Sequence, residues 1–123
     1  MSTVMFVDDN VVNRQLLTRV LQLDGHDVIT AADGREALDE LGRHHVDVVV
    51  LDLMMPVMDG FAFLRALRAD RAREQVPVVV YSAMSDEHSK SRAAALGAEA
   101  FVVKSRVGVE ELLNLVRTHT RKA

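Results

Sequence analysis

The chain has 123 residues, a formal net charge of -3, a hydrophobic content of 49% and no cysteine. That is the length of one ordinary domain, enough to bury about two thirds of its unfolded surface without covalent staples. The missing cysteines exclude disulfides and thiolate metal sites, and the mildly acidic balance argues against a chain-wide basic footprint for nucleic acid.

The opening residues Met1-Ser2-Thr3-Val4-Met5-Phe6-Val7-Asp8-Asp9 lack the basic-then-apolar order of a signal peptide. No apolar run approaches the ~18 residues of a membrane helix. The expectation is a single cytoplasmic domain over residues 1–123, with Met1 as a natural start and no membrane or nucleic-acid partner of its own.

Val4 to Val7 reads as a first strand, closed by the polar cluster Asp8-Asp9-Asn10. Val12, Leu16, Leu17, Val20, Leu21 and Leu23 then recur at helical spacing, and Asp24-Gly25 stops that helix. Asp27 to Ala31 is a second strand. Asp33-Gly34 opens a second helix, which ends near Gly42. Val46 to Leu51 is a third strand, apolar on both faces apart from Asp47, and Asp52 ends it. After the break at Pro56 and the turn at Asp59-Gly60, a helix runs from Gly60 to Arg68. Pro77 to Tyr81 is a fourth strand, Asp86 to Leu96 a polar-faced helix, Ala100 to Val103 a fifth strand and Val109 to Arg117 a last helix. Arg65, Arg68, Arg71 and Arg73 read as a solvated basic face. The scattered histidines show no ligand spacing.

Strand and helix alternate five times, and strands apolar on both faces imply a parallel sheet covered on both sides. The expected fold class is doubly wound α/β, with five strands in the order 2-1-3-4-5. Ligands bind such sheets beyond the carboxyl ends of the strands, where the strand order reverses between strands one and three. The residues just past the apolar runs are Asp8 and Asp9, Asp52, Ser82 and Lys104, with only Ala32 after the second. Clustered carboxylates repel unless a cation neutralises them. Their hard oxygens suit Mg²⁺, and Mn²⁺ is the alternative. A carboxylate can also take a phosphoryl group as an aspartyl phosphate, with Lys104 and the Ser82 hydroxyl contacting the phosphoryl oxygens. Read singly, Asp8 and Asp9 serve equally as helix caps, Ser82 as a turn residue, Phe101 as core and Lys104 as a solvated charge.

Asp8-Asp9-Asn10, the stretch from Asp52 to Gly60, Tyr81-Ser82-Ala83 and Phe101-Val102-Val103-Lys104 together resemble the receiver domain of two-component response regulators, a chemotaxis-regulator-like fold. The resemblance runs from Val4 to about Arg117. It implies that Asp52 is the phosphorylated residue and that Asp8, Asp9, Asp52 and the Met54 backbone carbonyl hold Mg²⁺. It implies that Ser82 is the switch hydroxyl, that small Ala83 leaves room beside it, that Phe101 is the aromatic that follows the switch, and that Lys104 contacts the phosphoryl group. The donor would be a histidine kinase or a histidine phosphotransfer domain, docking over Val11, Val12, Arg14, Gln15, Val57 and Met58. The output partner would read the face made by the fourth helix, fifth strand and fifth helix. Such a domain is a switch and not an enzyme, catalysing at most its own phosphorylation and dephosphorylation. Where the family has a proline after the lysine, joined by a cis bond, this chain has Ser105. A non-proline cis bond costs roughly 3 kcal/mol, so the bond is expected trans, or strained. Met54 and Met84 flank the site and cannot orient an attacking water, so the phosphorylated form is expected not to be among the fastest to self-hydrolyse.

Two other functions compete. A phosphatase of haloacid dehalogenase type would need an acid two residues past Asp52, where Met54 stands. A flavin carrier of similar fold would need a phosphate-cradling loop after the first strand, where Asp8 and Asp9 would repel a phosphate.

Overall fold

Five apolar runs become strands, and each is followed by a helix that returns the chain for the next. The computed structural model of the protein describes residues 2–105 and 108–120; Met1, read above as a natural start, lies outside the described residues. In chain order the elements are β1 (Thr3–Val7), α1 (Val11–Leu23), β2 (Asp27–Ala31), α2 (Gly34–Leu41), β3 (Val48–Leu51), α3 (Gly60–Ala69), β4 (Val78–Ser82), α4 (Glu87–Ala95), β5 (Ala100–Val103) and α5 (Val109–His119). The strands pair in parallel in the order β2-β1-β3-β4-β5, as expected from the sequence.

Side chains alternate across a strand, so β1 sends Met5 and Val7 to one face and Val4 and Phe6 to the other. Ala37 and Leu41 of α2, Phe61, Phe63, Leu64 and Leu67 of α3, and Ala93 of α4 close the first face. Leu17 and Leu21 of α1 and Leu112, Leu113 and Val116 of α5 close the second. Four helices begin at a side-chain cap. Asn10, Asp33, Asp59 and Asp86 accept the N–H groups of Asn13, Glu36, Ala62 and Ser89 at 2.8–3.0 Å. Each such cap is worth about 1 kcal/mol.

Three features depart from the sequence reading. β3 begins at Val48, not Val46, because Asp47 meets Thr3 with its side chain: its N–H donates to the Thr3 carbonyl at 2.8 Å while its Oδ2 accepts the Thr3 N–H at 2.7 Å. β4 is shifted by one residue. Pro77 has no N–H to give a ladder, and Ser82 pairs with Val103 as the last strand residue. Arg68 is not part of a solvated face. Its side chain is 19% exposed, and it donates to the carbonyls of Glu74, Val76 and Gly97 at 2.7, 2.7 and 2.6 Å. It also pairs with Glu99 at 3.2 Å, whose Oε2 accepts the Val78 N–H at 2.6 Å. One guanidinium thus ties the end of α3 to the entries of β4 and β5. Among the described residues, no helix is long and apolar enough to cross a membrane.

Candidate functional site

The ladder continues one step beyond three strands and fixes what stands at their tips. Asp8 N–H donates to the Ala31 carbonyl at 3.1 Å, Asp52 N–H to Val7 at 2.9 Å and Lys104 N–H to Ser82 at 2.9 Å. The side chains that follow are brought to one place. Asp8, Asp9 and Asp52 each offer an oxygen within 4.8 Å of the others, and Lys104 Nζ lies 2.7 Å from Asp8 Oδ2 and 3.4 Å from Asp52 Oδ2. Asp8 is fully buried and Asp52 is 7% exposed, while Asp9 faces solvent.

Asp8 does not cap α1; that role falls to Asn10. Asp8 instead accepts the Asn10 N–H on Oδ1 at 2.9 Å and the Asn13 side-chain amide on Oδ2 at 3.3 Å. Arg14 donates to the Asp8 carbonyl at 2.7 Å. Asp52 Oδ1 accepts the Met54 N–H at 3.2 Å. Burial holds the Asp52 carboxyl above its ordinary value, opposed by the Lys104 charge and the Met54 N–H, and reinforced by Asp8. Burial pulls the Lys104 ammonium down, but the Asp8 hydrogen bond and the charges of Asp52 and Asp8 outweigh it, so its net shift is upward. The ammonium thus offsets part of the repulsion between the two buried acids, and both acids hold it charged.

Ser82 is fully buried, its hydroxyl accepts the Met84 N–H at 3.3 Å, and it lies near enough to Asp52 to favour the ionised carboxylate. Ala83 is exposed. Phe101 is half-buried and packs against the core on the α3 side of the sheet. The Lys104–Ser105 peptide is trans, since no cis bond occurs among the described residues, and Lys104 reaches both acids in that geometry.

The loop after β3 is held by close approaches. Met58 N–H donates to the Pro56 carbonyl at 2.7 Å, which closes a γ-turn around Val57 at φ 65°. A Cβ on Gly60 would stand 2.6 Å from the Asp52 carbonyl oxygen, and one on Gly34 would stand 2.8 Å from Met58. These two positions must lack a side chain for the loop to pass.

Two contributions escape the sequence reading. Arg14 supports Asp8 through the backbone, and Arg92 of α4 stacks 4.1 Å over the Phe61 ring. Arg92 and Phe61 share with Asp9, Met54, Met55 and Met84 a cavity of about 560 Å³ beside the acids. Three converging carboxylate oxygens are a donor set suited to a small hard divalent cation, so the residues present fit Mg²⁺.

A family model for the response regulator receiver domain matches residues 4–117. "Probable transcriptional regulator ycf27" of Porphyridium aerugineum is 40% identical over 101 residues, which are 82% of this chain and 41% of that protein. The chain spans less than half the length of the curated relatives it matches. Among solved structures, the chemotaxis protein CheY4 of Vibrio cholerae superposes with a TM-score of 0.90 at 35% identity, covering 97% of this chain and 98% of that one. The response regulator TrrA of Thermotoga maritima, solved in complex with Mg²⁺-BeF, gives 0.84 at 30% identity, covering 96% and 98%. The acidic pocket lies where such a sheet binds its ligands, and the match takes in every strand that builds it: the chain belongs to the response regulator receiver domain family of two-component signalling.

Proposed function

We propose that Asp52 is the phosphoryl acceptor of this receiver, loaded from a phosphohistidine of a histidine kinase or histidine phosphotransfer domain. The observation that carries this is a nearly buried carboxylate flanked by two further acids and one ammonium at the sheet's carboxyl edge. An Asp52 oxygen forms the new O–P bond as the donor's N–P bond breaks, and the departing imidazole keeps the electron pair and takes up a proton. Lys104 would balance the charge that collects on the phosphoryl oxygens, and the Ser82 hydroxyl would donate to one of them. Asp8, Asp9, Asp52 and the Met54 carbonyl would hold Mg²⁺ or Mn²⁺, which when bound neutralises carboxylate and phosphoryl charge.

The reading is of a switch and not of a turnover enzyme. A dehalogenase-type phosphatase needs an acid where Met54 stands. Drawing Ser82 and Ala83 toward the phosphoryl group would free space for Phe101 and bias the face made of α4, β5 and α5 toward a downstream protein. What supports this is how lightly α4 is held: its buried residues are Ser89 and Ala93 alone. Kinase docking is assigned to the exposed apolar residues Val11, Val12, Leu16 and Val57, which are 53–84% accessible. The Met54 and Met84 side chains beside the acids cannot themselves orient a hydrolytic water, which argues that the phosphorylated form is not among the fastest to self-hydrolyse.

The test is labelling by a small phosphodonor with and without Mg²⁺, on this protein and on Asp52→Asn. Stoichiometric, Mg²⁺-dependent labelling that disappears in the variant is the expected result. Equal labelling of the variant would sink the assignment.

A further inference from the structure

The strand at the open end of the sheet is flanked by a basic groove that the phosphoryl chemistry does not use. Asp27 N–H donates to Ser2 and Asp8 N–H donates to the Ala31 carbonyl, so residues 27, 29 and 31 turn their backbone toward β1. Alternation leaves the N–H and C=O of Val28 and Thr30 on the free edge of β2. Beside that edge runs a groove of about 420 Å³ lined by Arg14, Gln15, Thr18 and Arg19 of α1 and by Val28 and Thr30. No carboxylate lines it among the described residues.

Two observations make this groove more than a gap. Arg14 spends one guanidinium nitrogen on the Asp8 carbonyl and keeps its remaining N–H donors. Arg19 is exposed, and its guanidinium has no hydrogen bond or ion pair among the described residues.

We propose that the free edge of β2 and this groove bind an extended acidic segment of a partner protein, added to the sheet as a further strand. The spacing is compatible. Residues 14 and 19 are offset by about 7.5 Å along the helix axis and about 140° around it, so it is their long side chains that bring both to the groove they line, and residues i and i+2 of a strand lie about 6.6 Å apart. The partner's motif is therefore acid-x-acid in extended chain, the carboxylates meeting Arg14 and Arg19 while its backbone pairs with Val28 and Thr30. This groove takes in Val11, Arg14 and Gln15 of the expected kinase-docking residues but not Val12 or Leu16, and the inference does not depend on phosphorylation.

The probe is a short acetylated and amidated peptide of alternating threonine and glutamate, titrated into the whole isotope-labelled chain. Saturable shifts centred on the Val28 and Thr30 amides are expected, with none from a threonine–lysine peptide. Arg19→Glu should weaken binding at least roughly fivefold, the scale of one ion pair lost and a repulsion gained. A peptide N-methylated along one edge should not bind. The proposal fails if the lysine peptide binds as well, if the N-methylated peptide keeps its affinity, if Arg19→Glu changes nothing, or if no saturable shift reaches β2.

Discussion

Asp52 and Asp24 show how one residue type makes opposite contributions to stability at different places. Asp52 is held above its ordinary value chiefly by burial. Between its unfolded and folded values the native state binds more protons than the unfolded chain, so this group's contribution falls as pH rises above about 3.8. At neutral pH the Asp52 charge opposes folding. Asp52→Asn is therefore expected to melt at a higher temperature than the original protein at pH 7, with the gap closing below pH 4. Thermal scans across that range decide it. The residue level is also where the sequence was most legible. Asp8, Asp52, Ser82 and Lys104 could be picked out because each ends or follows an apolar run, and strand direction alone carries them to one edge. The Arg14 bond to the Asp8 carbonyl and the Arg92 stack on Phe61 could not, because both depend on how a helix is rotated against its neighbours.

At the level of elements, the apolar runs and their Asp-Gly, Asn and Asp boundaries were enough to place ten elements in order. The misses are instructive. Asp47 answers the backbone of Thr3 with a carboxylate, which a pattern of apolar residues does not reveal. Val57 sits at φ 65°, a conformation that its β-branched side chain argues against. Such strain costs of order 1–3 kcal/mol. Replacing it with glycine forfeits about 0.5–1 kcal/mol of unfolded-chain restriction. Val57→Gly is thus expected to raise stability by about 1 kcal/mol, measured by urea denaturation. Arg68 was hidden because its partner Glu99 lies 31 residues away in sequence. Arg68→Ala should cost about 2–4 kcal/mol, since it strands three carbonyls and a carboxylate that holds the start of β4. An equilibrium denaturation midpoint equal to that of the original protein would contradict this.

Across the whole molecule, the ends of the fold are joined by Arg117 of α5 and Asp24 at the end of α1, 93 residues apart. The Arg117 hydrogen bond holds Asp24 below its ordinary value, against a smaller effect of burial. Here the unfolded chain binds more protons, so the contribution is present above about pH 3.8 and is lost as pH falls through the folded value. Asp24→Asn should lower the melting temperature at pH 7 and leave it unchanged in strong acid. The ion pair between Lys104 and Asp8 spans 96 residues, and that distance along the chain has a bearing on when the site exists at all. A ribosome delivers Asp8 first, then Asp52 and only afterwards Lys104. Until the last strand emerges, the two acids have no ammonium to share and every reason to stay apart. The acidic pocket is completed only once β5 has been made, and a chain interrupted before residue 104 would carry the proposed acceptor carboxylate without its ammonium.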